Sequence, residues 1–110
     1  MKGENYMRFD DLIKKAIIEI KNENFLKATE YIHLAMSEDD TSAKPHNLLG
    51  IIEEINGNLE LANNHYRAAY SLEPTFKASD NNLKRITSFY YVFDLEKIDF
   101  GETMQLQVGV

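Results

Sequence analysis

The chain has 110 residues, of which 44% are hydrophobic, and these values predict a single domain that buries a core without disulfides or a metal. Its net charge of −6 comes from 18 acidic and 12 basic residues, and the basic residues form no cluster longer than a pair. This distribution disfavours binding to the phosphate backbone of nucleic acids. The chain contains no cysteine, which excludes thiol chemistry and is typical of an intracellular protein.

The N-terminal stretch contains no targeting or membrane pattern. No apolar run reaches the roughly 18 residues that a membrane helix requires, and the first residues lack the apolar centre of a signal peptide. Residues 1–8 carry no periodic pattern and predict a flexible N-terminus. We therefore expect a cytoplasmic protein without a membrane partner.

Residues 9–42 predict a first helical hairpin. Apolar residues recur at helical spacing from Leu12 to Ile20, and Asp10 or Asp11 is expected to cap this helix. In the turn at residues 22–24 we expect an asparagine to adopt the left-handed conformation, which it tolerates better than most residues. A second helix follows from residue 25 to about residue 36. The acidic stretch at residues 37–42 predicts a solvated loop, because it lacks the ligand spacing and the glycine of a calcium loop.

Residues 43–76 predict a second hairpin. Pro45 suits the first turn of a helix, where its missing N–H has no partner to lose. Gly57 can take a positive φ and separate this helix from the next, for which Asn58 is the expected N-cap. Pro74 ends the second helix.

The two hairpins are related by a shift of 34 residues without a gap. The shift superimposes residues of similar size and polarity: Ala16 on Gly50, Phe25 on Leu59, Ala28 on Ala62, Ile32 on Tyr66, and Ala35 on Ala69. Small residues at such positions allow two helix backbones to approach closely. A repeat of this length predicts a stack of helical hairpins.

The second unit resembles the tetratricopeptide repeat family. The positions that carry this resemblance are Leu49, Gly50, Gly57, Ala62, Tyr66, Ala69 and Pro74. The first unit departs from the family pattern at Lys15, Glu23, Ile32 and Asp40, and it is identified as a repeat through its neighbour. The resemblance implies an all-α, right-handed α-α superhelix of two repeats, 9–42 and 43–76, followed by a capping helix at 77–92.

Residues 93–110 form the predicted C-terminal tail. The run from Phe89 to Phe93 is apolar on every side and needs a cover, for which the tail is the nearest candidate. Apolar and polar residues alternate from Met104 to Val110, which favours a strand. We therefore expect an irregular or β-like tail that pairs with a neighbouring segment or with a second chain.

The sequence contains no pattern that predicts catalysis. His33, His46 and His65 lie at no helical spacing from one another and are expected to be surface or edge residues. The adjacent residues Glu53 and Glu54 point in different directions on a helix, so we interpret them as a solvated rim. Phosphate loops, nucleophile elbows and zinc spacings are absent. We expect no enzymatic activity, no metal and no cofactor.

The resemblance implies a concave groove, lined by the first helix of each unit, that binds a peptide or a helix. Carried over to this chain, the groove positions that we predict to bind a partner are Ile13, Ile17, Ile20, Lys44, Asn47, Leu48, Ile51, Ile55, Asn82, Arg85 and Phe89. The wider set of groove positions adds Asp10, Lys14, Lys21, Glu54, Asn81 and Ser88. The clamp that some members use for a terminal carboxylate is missing, because Ile13 and Ile17 occupy its first-unit positions.

The sequence supports two hypotheses for function. The first is a protein-interaction scaffold with an apolar groove, in which Ile51→Asp would weaken association more than folding. The second is a homodimer in which the third helix and the tail pack on a second chain. Individual isoleucines of the groove have the alternative role of core residues between adjacent helices, but a contiguous exposed apolar stripe would mark an interface.

Overall fold

A computed structural model of the chain describes residues 8–102. All of the flexible N-terminus predicted for residues 1–8 except Arg8 lies outside the described residues, as does the alternating stretch from Met104 to Val110. Within residues 8–102 the chain forms five α-helices and one short 3-10 helix, and no strand. These are α1 (Phe9–Lys21), α2 (Phe25–Glu38), α3 (Lys44–Ile55), α4 (Leu59–Leu72), α5 (Lys77–Ile86) and the 3-10 helix Leu95–Lys97. The all-α prediction is confirmed for this part of the chain.

The helices pack as two hairpins and a final helix. Helix α1 packs on α2, α3 packs on α4, and α5 packs on α4. The hairpins are stacked, because α3 contacts both α1 and α2. Hydrogen bonds from Asn82 and Arg85 on α5 to Asn47 and Glu54 on α3 also place α5 beside α3, which itself contacts α1. None of the helices described is both long and apolar enough to cross a bilayer.

The 34-residue period recurs as repeated backbone structure. Asn24 N–H donates to Glu19 O at 2.7 Å, and Asn58 N–H donates to Glu53 O at 2.8 Å. The side chains repeat the same contact, from Asn24 Nδ2 to Glu19 Oε1 at 3.0 Å and from Asn58 Nδ2 to Glu53 Oε1 at 2.8 Å. Helices α2 and α4 both have 14 residues. The two hairpins therefore share the same turn contacts and a second helix of the same length.

The turn of the first hairpin corrects one expectation. Neither asparagine adopts the left-handed conformation; Glu23 does, with φ at 62°, and Gly57 at the equivalent position has φ at 84°. The reason is positional, because Asn24 must precede α2 in the same way that Asn58 precedes α4. Glu23 therefore takes a backbone conformation that is unfavourable for its type.

The helix starts also differ in detail from the prediction. Helix α1 begins at Phe9 with Arg8 in the capping position, so Asp10 and Asp11 lie in its first turn instead of capping it. Their charges are favourable there, because the N-terminal end of a helix dipole is positive. Asn58 occupies the N-cap of α4 as predicted, although its side chain bonds to Glu53 and not to the helix.

Close helix packing at small residues is confirmed. Ala16, Ala28 and Ala62 are completely buried. A Cβ added to Gly50 would lie 2.6 Å from Cδ1 of Tyr66, so only glycine permits this approach of α3 to α4.

Helix α5 is shorter than the predicted 77–92. It ends at Ile86, where the hydroxyl of Thr87 donates to the carbonyl of Leu83 at 2.8 Å. Such local side-chain bonds compete with helix continuation. The chain then turns at Ser88, and Tyr91 is directed back to the interior, where its hydroxyl donates to Glu54 at 2.9 Å.

Candidate functional site

The side of the molecule formed by α1, α3 and α5 is occupied by the chain itself. We call this face the groove, and residues 98–102, which lie in it, the groove segment. The segment contacts α5 through Asn82, α3 through Asn47 and α1 through Lys21. It is neither a helix nor a strand.

Two buried asparagines, Asn47 and Asn82, hold the main chain of Asp99, and we call this pair the asparagine clamp. Asn82 Nδ2 donates to Asp99 O at 2.8 Å, and Asn82 Oδ1 accepts from Asp99 N–H at 2.9 Å. Asn47 Nδ2 donates to the same carbonyl at 3.1 Å, and its Oδ1 accepts from Asn82 Nδ2 at 2.9 Å. Neither asparagine is exposed to solvent. The pair thus satisfies both backbone groups of Asp99, as a neighbouring strand would.

The side chains of the segment contact the groove on both sides of this clamp. Ile98 is 7% exposed and belongs to the hydrophobic core, and Phe100 packs against that core. The ammonium group of Lys21 lies 4.9 Å from the centre of the Phe100 ring and 2.9 Å from Oε1 of Glu102. Apolar burial and one exposed ion pair therefore reinforce the main-chain bonds.

A buried ionic network around Glu54 and Arg85 holds Asn82 of the clamp in place. Glu54 is 1% exposed and accepts hydrogen bonds from the Tyr66 hydroxyl at 2.7 Å and the Tyr91 hydroxyl at 2.9 Å. Both carboxylate oxygens also accept from the guanidinium group of Arg85. Arg85 Nη2 in turn donates to Asn82 Oδ1 at 2.8 Å, so the ion pair fixes the orientation of the clamping amide.

Glu54 and Arg85 both stay ionised in this network. Burial opposes ionisation of Glu54, but hydrogen bonds from Arg85, Tyr66 and Tyr91 hold the pKa of Glu54 below its ordinary value. Burial also opposes the charge of Arg85, yet pairing with Glu54 raises the pKa of Arg85. Burial and the contact with Glu54 raise the pKa of Tyr91 to about 12, so Tyr91 remains a donor near neutral pH. The site is thus a fixed set of hydrogen-bond donors and acceptors.

The structure brings together some predicted groove residues in the network. Asn47, Asn82 and Arg85 form the clamp and its support. Lys44 and Ile55 are half-buried on α3. Phe89 is 92% exposed and lies outside the clamp, against Tyr90.

The apolar members of the predicted groove are not an exposed stripe. Five of them are buried and belong to the hydrophobic core: Ile13, Ile17, Ile20, Leu48 and Ile51. Their exposure is lost because neighbouring helices and the groove segment pack over them. Since Ile51 is completely buried, Ile51→Asp is now expected to impair folding first, contrary to the sequence-based expectation.

The resemblance placed Glu54 among the wider groove positions, but sequence reasoning missed its central role in the buried network. Its interpretation as part of a solvated rim with Glu53 is wrong, because the structure buries its side chain between α3, α4 and α5. A usable signal was present, because a buried tyrosine at position 66 requires a partner for its hydroxyl. The involvement of Tyr91 and Asp99 had no such local signal, since both come after the last long helix.

The histidines form a pair that sequence spacing did not indicate. His46 on α3 and His65 on α4 stack with ring centres 5.5 Å apart, and their Nδ1 atoms are 3.3 Å apart. Burial lowers the pKa of both residues, and the proximity of His46 lowers that of His65 further. Among residues 8–102, no three potential metal ligands lie together. Because the pKa of each ring lies below its ordinary value, both rings are neutral near neutral pH.

Comparison with known proteins finds no match to a family model, to a curated protein or to a solved structure. The class that the fold itself defines is a helical-repeat-like all-α protein. Its distinguishing feature is a groove that holds a segment of its own chain that is neither helix nor strand.

Proposed function

We propose that the protein is a protein-interaction scaffold of the tetratricopeptide type, whose groove binds an extended peptide segment of a partner protein. The observation that carries this proposal is the pairing of Asn82 with both main-chain groups of Asp99. A side chain that satisfies the N–H and the carbonyl of one residue recognises extended backbone as such. The groove segment thus displays the form of ligand that the groove accepts.

The support of the clamp is consistent with a binding role. Asn47 and Asn82 are held in register by each other and by Arg85, so little side-chain freedom is lost when a ligand binds. The repeated hairpins with a period of 34 residues favour the tetratricopeptide type, in which the first helices carry the ligand. The proposed function is not enzymatic and involves no cofactor, nucleic acid or membrane. A chain without cysteine suits such a scaffold in the cytoplasm.

Selection of peptides from a random library tests this function. The groove must first be vacated, and Gly101→Val does so, because a Cβ at this position would lie 2.5 Å from the Phe76 ring and φ is 78°. We expect the immobilised full-length Gly101→Val protein to enrich peptides. The same peptides should lose at least about tenfold in affinity for Gly101→Val combined with Asn82→Asp, which removes a donor from the clamp.

Two results would contradict the proposal. One is a library that contains no binder for a folded Gly101→Val protein, and the other is equally tight binding of the enriched peptides after Asn82→Asp. Circular dichroism of both variants provides the control that they remain helical.

Self-association is a second candidate function, because a cluster of exposed apolar side chains comes directly after α5. The exposed fraction is 92% for Phe89, 84% for Tyr90 and 76% for Val92. Contiguous exposure of this kind is typical of an interface, and a second copy of the chain would cover it.

Sedimentation at micromolar concentration tests the second candidate. A homodimer should dissociate in Phe89→Asp but not in Leu26→Asp, which alters a side chain that is 79% exposed on α2. A wild-type protein that sediments as a strict monomer excludes obligate self-assembly.

A further inference from the structure

The groove segment has features that go beyond extended backbone, and each has a structural reason. The clamp on Asp99 recognises the main chain, so it would accept many sequences. The neighbouring positions are more demanding, because each places a particular type of side chain against the groove. Their order in the chain is aliphatic, acidic, aromatic, glycine and acidic, from Ile98 to Glu102.

The acidic residue at position 99 makes two contacts through its side chain. Oδ2 accepts from Asn81 Nδ2 at 2.8 Å, and Oδ1 accepts from the N–H of Gly101 at 2.9 Å. The first contact binds the segment to α5, and the second fixes the turn of the backbone toward Gly101. An apolar residue here would leave both donors without these partners.

The glycine is required for two independent reasons. Its φ of 78° lies in the region that other residues rarely adopt, and a Cβ would meet Cζ of Phe76 at 2.5 Å and Cβ of Ala78 at 3.3 Å. The glycine therefore permits the segment to lie close to the start of α5. The preceding aromatic ring and the following carboxylate both face Lys21 on α1.

The stretch of chain between α5 and the groove segment allows the segment to detach from the groove. Between α5 and Ile98 the only regular element is the 3-10 helix Leu95–Lys97, and no residue of that helix is buried. Release of residues 98–102 would therefore break the clamp and uncover part of the core without requiring any of the five helices to unfold. Lys21 on the N-terminal hairpin would lose its cation–π contact with Phe100 and its exposed ion pair with Glu102.

From these contacts we propose that the groove binds, from another protein, an acidic segment with the order aliphatic, acidic, aromatic, glycine, acidic, whose backbone turns at the glycine, and that residues 98–102 compete with it from within the same chain. The inference rests on the proposed peptide-binding function and adds to it a ligand sequence and a regulatory competitor. A tethered competitor acts at an effective concentration on the order of millimolar. A partner peptide therefore binds weakly until the groove segment is displaced.

The probe for this competition is a fluorescent peptide with the sequence of residues 95–102, LEKIDFGE, measured by anisotropy against the full-length protein. We expect the apparent Kd to be at least about tenfold lower for Gly101→Val than for the wild type, because an occupied site reduces apparent affinity by the fraction that is free. Phe100→Ser is a second release variant that introduces no clash, and it should shift the Kd in the same direction. Circular dichroism confirms that each variant is folded.

Two control peptides test the ligand sequence. One carries valine in place of the glycine, and the other contains the same residues in scrambled order. Both should bind Gly101→Val at least about tenfold more weakly than LEKIDFGE. Peptide binding should also disappear when Asn82→Asp is added to the protein.

The outcomes separate the two proposals. Equal affinity of the wild type and both release variants would overturn the internal competition. Equal binding of the three peptides would overturn the ligand sequence and leave the peptide-binding function intact. If the folded release variants bind neither these peptides nor any member of a random library, the proposed function itself is wrong.

Discussion

Asn82 and Glu54 act at different depths of one hydrogen-bond network. Asn82 contacts the groove segment directly, whereas Glu54 acts through Arg85, which contacts both residues. A buried ion pair adds little stability compared with apolar residues of the same shape, but the loss of one partner is strongly destabilising. Glu54 is therefore a positioning residue whose removal should affect both stability and the groove.

Replacement of the buried carboxylate tests this role. We expect Glu54→Gln to lower the free energy of unfolding by about 3 kcal/mol, because Arg85 would be left partly buried without a counter-charge. Urea unfolding at pH 7 measures the change. Glu53→Gln is the matched control, since it alters a neighbouring carboxylate that only bonds to the turn residue Asn58, and it should change stability by less than about 1 kcal/mol. Equal effects of the two substitutions would contradict the role of Glu54.

Stability should also depend on pH through the same carboxylate. The folded protein holds the pKa of Glu54 below its ordinary value, so the stabilising contribution is complete above the ordinary carboxyl range. It is lost as the pH falls below about 4, toward the lowered pKa of the folded state. The difference in unfolding free energy between wild type and Glu54→Gln should therefore shrink between pH 6 and acidic pH. A difference that stays constant would show that Glu54 does not titrate with a lowered pKa.

At the scale of the elements, the two hairpin turns share one backbone geometry but differ in its cost. Gly57 adopts a positive φ with no heavy atom within 4 Å of an added Cβ, so the backbone conformation, and not packing, is what favours glycine there. Glu23 adopts nearly the same conformation without that advantage. The first hairpin is thus locally strained at a position where the second is not.

Substitution of these two turn residues measures the energetic cost of the backbone conformation separately from that of packing. Glu23→Gly should stabilise the protein by about 0.5–1 kcal/mol, and Gly57→Ala should destabilise it by about 1 kcal/mol. Thermal unfolding of the two variants beside wild type measures both signs. Effects of the same sign would contradict the equivalence of the turns.

Packing between α3 and α4 limits the size of the residue at position 50. We expect Gly50→Ala to lower the free energy of unfolding by about 1–3 kcal/mol, because the added methyl group meets the buried ring of Tyr66. Gly57→Ala is a useful reference, since it adds the same group where there is space. A neutral Gly50→Ala would mean that Tyr66 can move aside, which its hydrogen bond to Glu54 disfavours.

The sequence predicted the repeated helices better than the C-terminal part of the chain. The 34-residue shift located α2, α3 and α4 because apolar and small residues recur at helical spacing. The end of α5 could not be read in this way, since the aromatic run after Ile86 continues an apolar pattern that a helix could also carry. Its actual course depends on the long-range contact between Tyr91 and Glu54.

The candidate site was predictable only in part, for a related reason. The resemblance to the tetratricopeptide family implied that Asn47, Asn82 and Arg85 are groove residues. It could not indicate that these side chains hold Asp99, because no periodic pattern connects residue 99 with the helices. The burial of Ile13 and Ile17 likewise depends on the segments that lie over them.

At the scale of the whole molecule, the groove segment contributes to the core as well as to the site. A chain ending at Lys97 should lose at least about 2 kcal/mol of unfolding free energy, because it lacks the buried Ile98 and the bonds to the asparagine clamp. Urea unfolding provides the measurement, and a chain ending at Glu102 is the control that retains the segment. Equal stability of the two truncated chains would contradict this contribution.

The contact between Lys21 and Glu102 joins residues that are 81 positions apart. A linear array of repeats can unzip from either end, because each unit contacts only its neighbours. Here the last part of the described chain contacts the first helix, so the two ends of the described array are joined through Lys21 and Glu102. Amide hydrogens in α1 should therefore exchange no faster than those in α3 while Lys21 contacts Glu102. When this contact is broken, the amide hydrogens of α1 should exchange first.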